Sequence, residues 1–353
     1  PTEVLRKDLK STPGNTFRSS LYREDVIMLT DLYQDKGYAF TDVSPVTQVD
    51  DAAQKIDITF NVTKGKEIYV NRINIFGNTR TRDKVIRREL RLSEGDHYSG
   101  TGLKRSKERL TNTQYFKEVD LKLIKTEDPE KINLDVAVDE RPTGTFNVSI
   151  GYSTTDKAII GGSISQNNFL GTGRKLYFNA GVGDITNNFS ASIVDPYIFD
   201  LNLSAGLGLS HYTREMDSYD YRISGGSLSF VRPMTEFTKL STRYKYETTK
   251  IDNIDLDASN YIKEQEGTSS TSSVTVALIR NTIDNIMNPS KGSNAEISFE
   301  LAGGPFGAEN DFYKSVGQYG KYIPARFWNS TFFIKGTAGT IRGYNGKPIP
   351  IYE

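Results

Sequence analysis

The chain of 353 residues carries 44 basic and 44 acidic side chains, no cysteine and two histidines. Zero net charge speaks against nucleic acid as a dominant partner, which needs a basic excess. Disulfides and thiolate-held metals are excluded, and His97 and His211 alone give metal or triad chemistry little to work with, so no cofactor and no metal site is expected.

In chain order, the first stretch reads as a small α+β unit. Val4 to Leu9 is expected to be a helix, Gly14 ends it, and Leu21 to Tyr33 forms a second helix. Gly37-Tyr38 leads to a strand near Val43 to Val49. Lys55 to Val62 alternates as another strand. No signal-peptide pattern opens at Pro1, so a mature chain or an excised fragment is expected.

The same order then recurs with one more strand in front. Glu67 to Asn74 alternates around a slip, with Ile68, Val70, Ile73 and Ile75 apolar. Gly77-Asn78 marks a turn. Thr81 to Leu92 reads as a helix striped by Val85, Ile86 and Leu90, with Thr81 as its N-cap. After Gly95, Gly102 to Thr113 is a second helix, with Leu103 and Leu110 on one face. Val119 to Ile124 and Lys131 to Val138 are strands, and Ile132, Leu134, Val136 and Val138 share one face. The repeat period of about 76 to 82 residues means repeated domains and not a solenoid. The boundaries follow as 1–66, 67–142 and 143–353.

The stretch from Asp139 to Ser153 is the seam. Pro142 interrupts the preceding element. Beyond it Phe146, Val148, Ile150 and Tyr152 alternate with Thr145, Asn147, Ser149, Gly151 and Ser153, giving one apolar and one polar face. From there strands follow strands: 159–166, 175–183, 189–194, 201–210, 221–230, 239–248, 273–280, 295–301, 314–323 and 331–341. With the opening strand that makes about eleven. Asn168 to Gly173, Asp195-Pro196-Tyr197 and the segment around Pro233 read as short turns. Asp252 to Ser272 and Gly303 to Asp311 read as long loops. Short turns on one side and long loops on the other are the habit of outer-membrane barrels.

No apolar run of about 18 residues is present, so no transmembrane helix is expected. The mean hydropathy of -0.50 leaves a barrel open, because barrel strands alternate lipid-facing and lumen-facing residues. Tyrosine at 20 and phenylalanine at 18 fit aromatic belts near strand ends, as at Tyr197, Phe199, Tyr212, Phe237, Phe306, Phe312 and Tyr313. A soluble β-sandwich or propeller is the plainer alternative. It explains less well a polar face so rich in Ser, Asn, Thr, Gly, Lys and Glu.

No chemistry-bearing motif stands out. Gly171-Thr172-Gly173-Arg174 lacks the third glycine and the following helix of a dinucleotide site, and a tight turn explains it. Asp50-Asp51 and Glu264 with Glu266 sit in polar loops and read as solvated. Arg280 to Asn285, ahead of Pro289 and Gly292, has no spacing that a reaction needs. The chain is not expected to be an enzyme.

Taken together, the residues resemble a known family. The two α+β copies are similar to POTRA domains, with Ile73-Asn74-Ile75-Phe76-Gly77-Asn78 opening the complete one. Glu140-Arg141, Gly144-Thr145-Phe146-Asn147, Gly151-Tyr152 and Gln166 to Gly173 resemble the start of the barrel in the BamA family of outer-membrane protein assembly factors. Asp195-Pro196-Tyr197 and Arg280 to Asn285 with Pro289 and Lys291-Gly292 resemble its later strand ends. The implied fold is α+β POTRA domains, here the last two, followed by an antiparallel transmembrane β-barrel. About eleven of sixteen strands would be present. The copies would be the fourth, lacking its first strand, and the fifth, next to the barrel. The chain is expected to stop at Pro348 to Glu353, on the approach to the long sixth external loop, with Arg342-Gly343-Tyr344 read as a strand end.

The resemblance implies an outer-membrane location in a Gram-negative bacterium, with the POTRA domains in the periplasm. It implies insertion of nascent outer-membrane β-barrel proteins into outer-membrane lipid, accessory lipoproteins docked on the POTRA domains, and periplasmic chaperones as partners. The barrel's first and last strands would meet at a weak seam. On this reading a client adds its terminal strand to Thr145, Phe146, Asn147, Val148, Ser149, Ile150, Gly151, Tyr152 and Ser153. Edge strands template such pairing through unpaired backbone groups. A second strand-addition edge is expected at Val119, Asp120, Leu121, Lys122, Leu123 and Ile124, with plain spacing between partners as its alternative. The rival readings are a two-partner-secretion pore, a translocation-and-assembly factor of the same superfamily, and a passive porin. Tandem POTRA copies argue against the porin, which has no use for docking modules.

Overall fold

The computed structural model describes residue 6 and residues 8–154, 156–285, 288–325 and 330–353. The chain divides into two compact units. The first holds residues 1–143 together with 170–172, and the second holds 144–169 with 173–353.

In the first unit, α1 (Ser19–Gln34) precedes the hairpin β1 (Asp42–Asp50) and β2 (Lys55–Thr63), which pair antiparallel from Asp42↔Thr63 to Asp50↔Lys55. Of the expected helix over Val4 to Leu9, residues 4, 5 and 7 lie outside the described residues. Asp25, buried on α1, accepts hydrogen bonds from the Lys10 and Ser11 backbone N–H groups at 2.7 and 2.8 Å. A buried carboxylate is tolerated there because donors replace its water.

The second copy runs β3 (Tyr69–Phe76), α2 (Asp83–Arg87), α3 (Gly100–Asn112), β4 (Phe116–Lys125) and β5 (Lys131–Glu140). β5 is the central strand, parallel to β3 and antiparallel to β4. Its alternation decides the core: Ile132, Leu134, Val136 and Val138 are all buried, joined by Val85, Ile86 and Leu110 from the helices. The slip in the Glu67 to Asn74 pattern is a β-bulge between Val70 and Arg72. The extra residue, Asn71, donates from its side chain to Asn133 Oδ1 at 2.8 Å. Gly77 has φ of 83°, and a Cβ there would sit 2.0 Å from the Val138 carbonyl oxygen, so the turn needs glycine.

Two local expectations need correction. The helix expected over Thr81 to Leu92 is only Asp83–Arg87, capped by Arg82 without a side-chain bond. Leu90 and Leu92 are both buried, and residues two apart cannot share a helix face, so the chain leaves the helix to bury both. The Arg91 N–H freed by this is taken by Ser106 Oγ at 2.7 Å. Thr81 is no N-cap; its backbone N–H donates to Glu140 Oε1 at 2.6 Å. α3 begins earlier than expected, because Ser99 caps it by accepting from the Gly102 N–H at 2.8 Å.

The two copies meet within this unit. Asp35, just past α1, accepts from Ser99 Oγ, Thr101 N–H and Thr101 Oγ1 at 2.7 to 2.9 Å. Lys104 pairs with Asp31 at 2.6 Å. The Ile68 N–H donates to the Gly37 carbonyl at 2.8 Å. The carboxylate of Asp35 thus sits at the N-terminus of α3, where orphan donors and the helix dipole favour an anion.

The second unit is an antiparallel sheet of 11 strands in sequence order. They are β6 (Gly144–Ser153), β7 (Lys157–Phe169), β8 (Arg174–Gly183), β9 (Thr186–Asp195), β10 (Ser204–Glu215), β11 (Asp220–Pro233), β12 (Thr238–Asp252), β13 (Gly267–Asn281), β14 (Gly292–Ala302), β15 (Phe312–Ala325) and β16 (Ser330–Gly343). β6 and β16 are the sheet's edges. Register keeps like with like across strands: Phe146 faces Ile164 and Ile164 faces Phe178 on one side of the sheet. Val276 faces Phe299 and Leu278 faces Ile297 on the same principle. These side chains are exposed, which is the pattern of a face made for lipid.

The strand expected over Leu201 to Ser210 starts instead at Ser204 and runs to Glu215. Phe199 and Asp200 adopt φ of 55° and 58°, and the Ile198 N–H bonds the Leu203 carbonyl at 2.9 Å. Leu201 and Leu203 belong to that turn; their spacing only mimics a strand. Residues 267–272, expected as loop, are the opening of β13, with Thr271 opposite Glu247. Their polarity marks the polar face and not a loop. Connection lengths are also less lopsided than expected. The end with the long loops 253–266 and 303–311 also has the tight links 184–185 and 216–219, while the opposite end includes 196–203 and 282–291.

Candidate functional site

β6 pairs with β7 alone, and all ten of its residues are exposed. Ile150 and Tyr152 are about 80% exposed, at 81% and 79%, more than the apolar residues of any interior strand of this sheet. Opposite Val148 and Ser149 stand Gly162 and Gly161, so that stretch has little cross-strand side-chain packing. Nearer its start, Thr145 Oγ1 and Ser165 Oγ lie 2.6 Å apart, and Asn147 Nδ2 donates to Ser163 Oγ at a long 3.4 Å. The strand expected at Thr145 to Ser153 therefore forms as a sheet edge with polar and apolar faces.

Val119 to Ile124 lies in β4, which is also a sheet edge, pairing with β5 only. The other edge of that sheet, β3, is covered. Val70 N–H bonds the Asp96 carbonyl, Gly95 N–H bonds the Val70 carbonyl, and Tyr98 N–H bonds the Ile68 carbonyl. Glu94 Oε1 accepts from the Ile73 N–H, and Arg87 donates to the Ile73 carbonyl at 2.8 Å. β4 instead carries Lys117, Lys122 and Lys125. Lys117 reaches Asp139 at 3.7 Å and Lys122 reaches Asp120 at 3.1 Å. Lysines on an edge discourage unselective pairing.

Glu140 and Arg141, singled out by resemblance, fasten the second copy. Glu140 accepts from Thr79 Oγ1 and from the Arg80 and Thr81 N–H groups. Burial pushes its carboxyl up, but the Thr81, Thr79 and Arg80 donors outweigh that and hold it below the ordinary value. Arg141 Nε donates to the Gln114 carbonyl at 2.7 Å.

Asn168 to Gly173 is a tight turn: Asn168 has φ of 64°, and its Oδ1 accepts the Gly173 N–H at 2.8 Å. Asp284 organises the Arg280 to Gly292 connection by accepting from Ser290 and Lys291 N–H groups at 3.0 and 3.1 Å. His97 lies against Tyr69 with the rings tilted by 39°, and His211 Nδ1 lies 2.8 Å from Ser224 Oγ. Among the described residues no group of three or more His, Cys, Asp or Glu side chains is placed to hold a metal ion.

Comparison with known proteins then decides the family. Residues 168–353 match the model of the Omp85 superfamily domain, and residues 1–65 and 68–141 each match that of the POTRA surface antigen variable number repeat. The chain belongs to the Omp85 superfamily. It is 33% identical over 321 residues to the outer membrane protein assembly factor BamA of Nitratidesulfovibrio vulgaris, covering 91% of this chain and 40% of that relative. It is 30% identical to BamA of Neorickettsia risticii, covering 98% of this chain and 47% of that relative. The chain thus spans less than half the length of these relatives. In fold it is similar to the crystal structure of BamA from Haemophilus ducreyi lacking POTRA domains 1-3, with TM-score 0.77 over 99% of this chain and 70% of that one, at 23% identity. CdiB from Escherichia coli shares the fold less closely, with TM-score 0.58 at 15% identity over 97% of this chain and 65% of that one. As an Omp85 chain of this kind it is an outer-membrane protein of the Gram-negative type, with POTRA domains in the periplasm and the 11-stranded sheet as part of its barrel.

One feature escaped sequence reasoning. On the polar face of the sheet Lys245, Glu247, Glu300 and Lys314 gather around Glu353. The alternation of Lys245 and Glu247 hints at it, but only the register brings residues of three strands, β12, β14 and β15, together.

Proposed function

We propose that this Omp85 chain acts in outer-membrane protein assembly, and that β6 is the edge on which a client's terminal strand is paired. The observation that carries this is β6 itself: a sheet edge with alternating faces, held to β7 through a stretch faced by glycines. A client strand laid along it gains backbone hydrogen bonds, and its own alternation sets the register. Pairing and burial of apolar surface in lipid are downhill, so no nucleotide is needed. β4 of the second POTRA copy is the periplasmic edge on which a client segment or an accessory lipoprotein docks before transfer. The open β4 and covered β3 support one-sided docking.

The 353 residues contain no cysteine. Single cysteines at Asn147 and Ser149, placed in a full-length protein whose other cysteines, if present, are replaced, serve as cross-linking probes. With a stalled barrel client bearing a cysteine in its last strand, adducts are expected at both positions. Continued client assembly with no adduct at either position would sink the β6 reading.

A further inference from the structure

The chain enters the sheet at Gly144 from the periplasmic copies, so the antiparallel order puts the start of β11 and the end of β12 at the outer end. On the lipid side the ladder between these two strands is graded. Leu228 faces Tyr244 and Gly226 faces Tyr246; outward from there Ser224 faces Thr248, Arg222 faces Lys250, and last Asp220 faces Asp252. Successive pairs are two residues apart on strands with no bulge between them, so all share one face. Apolar and aromatic groups thus give way to hydroxyls and then to charges, as at a membrane–water interface. Arg222 and Arg232 stand on this face ten residues apart. At about 3.4 Å per residue and a tilt of about 40° they are about 26 Å apart along the membrane normal, which matches an apolar band about 25 Å tall. Arg222 therefore stands at the outer interface and Arg232 at the periplasmic one.

The outer pair is unusual in its charge. Arg222 and Lys250 are both exposed and directly opposite each other. The Cβ atoms of such a pair are about 4.5–5.5 Å apart, and like charges so placed repel. Lys250 is partly compensated by Asp252, 2.6 Å from its ammonium. Asp220, beyond Arg222, accepts instead from Asn253 Nδ2 at 2.6 Å. Among the described residues no carboxylate forms an ion pair with Arg222. Thr213 faces Arg222 from β10 and Thr268 faces Lys250 from β13, which puts a hydroxyl-bearing residue on either flank.

We propose that Arg222 and Lys250 form a phosphate clamp on the lipid side of β11 and β12, and that its ligand is the phosphorylated headgroup of an outer-leaflet glycolipid of the lipid A type. Two phosphate oxygens accept from the guanidinium fork, while the ammonium approaches as a point charge. The shared anion turns a repelling pair into one held by a common counter-charge. Acyl chains of the same lipid then run down the wall past Tyr246, Tyr244 and Leu228, all exposed on this face. A headgroup tethered by its chains is already confined to this depth, so it loses less freedom on binding than a free phosphate does. The clamp lies on β11 and β12, and client pairing on β6 does not depend on it.

The test titrates the full-length protein in detergent micelles with lipid A bearing two phosphates, and native mass spectrometry reads the bound fraction. Retention of heat-modifiable migration certifies that each barrel is folded. Arg222→Gln combined with Lys250→Gln is expected to weaken binding by about tenfold or more. Lys250→Arg keeps the charge and is expected to bind at parental affinity. Arg232→Gln removes a cation from the same face of the same strand at the periplasmic end, and is expected to do the same. Lipid A stripped of its phosphates is expected to bind the parental protein and the double variant alike. Equal binding of phosphorylated lipid A by the parental protein and a folded double variant overturns the clamp. So does an equal loss with Arg232→Gln, which would reduce the effect to overall charge. Displacement of lipid A by an equal concentration of inorganic phosphate overturns the lipid as ligand. Because client cross-linking at Asn147 is read separately, a failed clamp leaves the β6 reading standing, and the converse.

Discussion

Leu134 and Ile297 are isomeric side chains at the middle of β-strands, and the fold treats them in opposite ways. Leu134 on β5 is fully buried, while Ile297 on β14 is 64% exposed. The POTRA strand is covered by helices and must hide its apolar face from water. The barrel strand presents the same kind of face to hydrocarbon, so it needs no protein cover, only complete backbone pairing within the sheet. One alternating pattern therefore builds two solvents' worth of structure, and the partner element, not the strand, decides which.

The largest expected effect tests the buried side of that contrast. Leu134→Ala leaves a cavity under α2 and α3 and is expected to cost about 2–5 kcal/mol, read as a lower urea midpoint of the POTRA transition. Ile297→Ala in lipid should cost clearly less; equal losses would break the comparison. Next, Ile297→Arg places a charge on the lipid face and is expected to cost about 2–4 kcal/mol if the position is near the bilayer midplane. Reversible unfolding in lipid vesicles measures it.

The smallest effect sharpens the POTRA side. Burial pushes the Asp35 carboxyl up, but its bonds from Thr101 and Ser99 outweigh burial and hold it below the ordinary value, and Glu140 behaves alike. A depressed folded value means stability that is present above the unfolded pKa of about 4 and is lost as pH falls through the folded one. Asp35→Asn is expected to lower stability by about 1 kcal/mol at neutral pH and to flatten the acid limb of the curve. An unchanged pH slope, measured by urea titration from neutral to acid, would remove Asp35 from the joint between the copies.

Much of this was legible in the residues. The alternation of β5 named its buried face, and Phe146 to Tyr152 named the apolar face of β6. Where reading failed, the causes are physical. Leu201 and Leu203 kept a strand's spacing inside a turn, because residues at φ near 55° reverse the chain without changing the count. Thr268 to Ser272 looked like loop because a strand facing a polar wall is polar where a strand in a core is not. The helix after Thr81 was overextended because Leu90 and Leu92 had to be buried together.

By itself the sequence determined the duplicated α+β order, the seam near Pro142, the strand-after-strand meander and the faces of most strands. These rest on local periodicity, which each segment carries alone. Tertiary structure decided that β3 is covered while β4 is open, and that Asp35 caps the next copy's helix. It also decided that Glu353 reaches two lysines on strands far away in the chain. Those outcomes depend on pairing order and register, and periodicity fixes which way a side chain points but not which neighbour it meets.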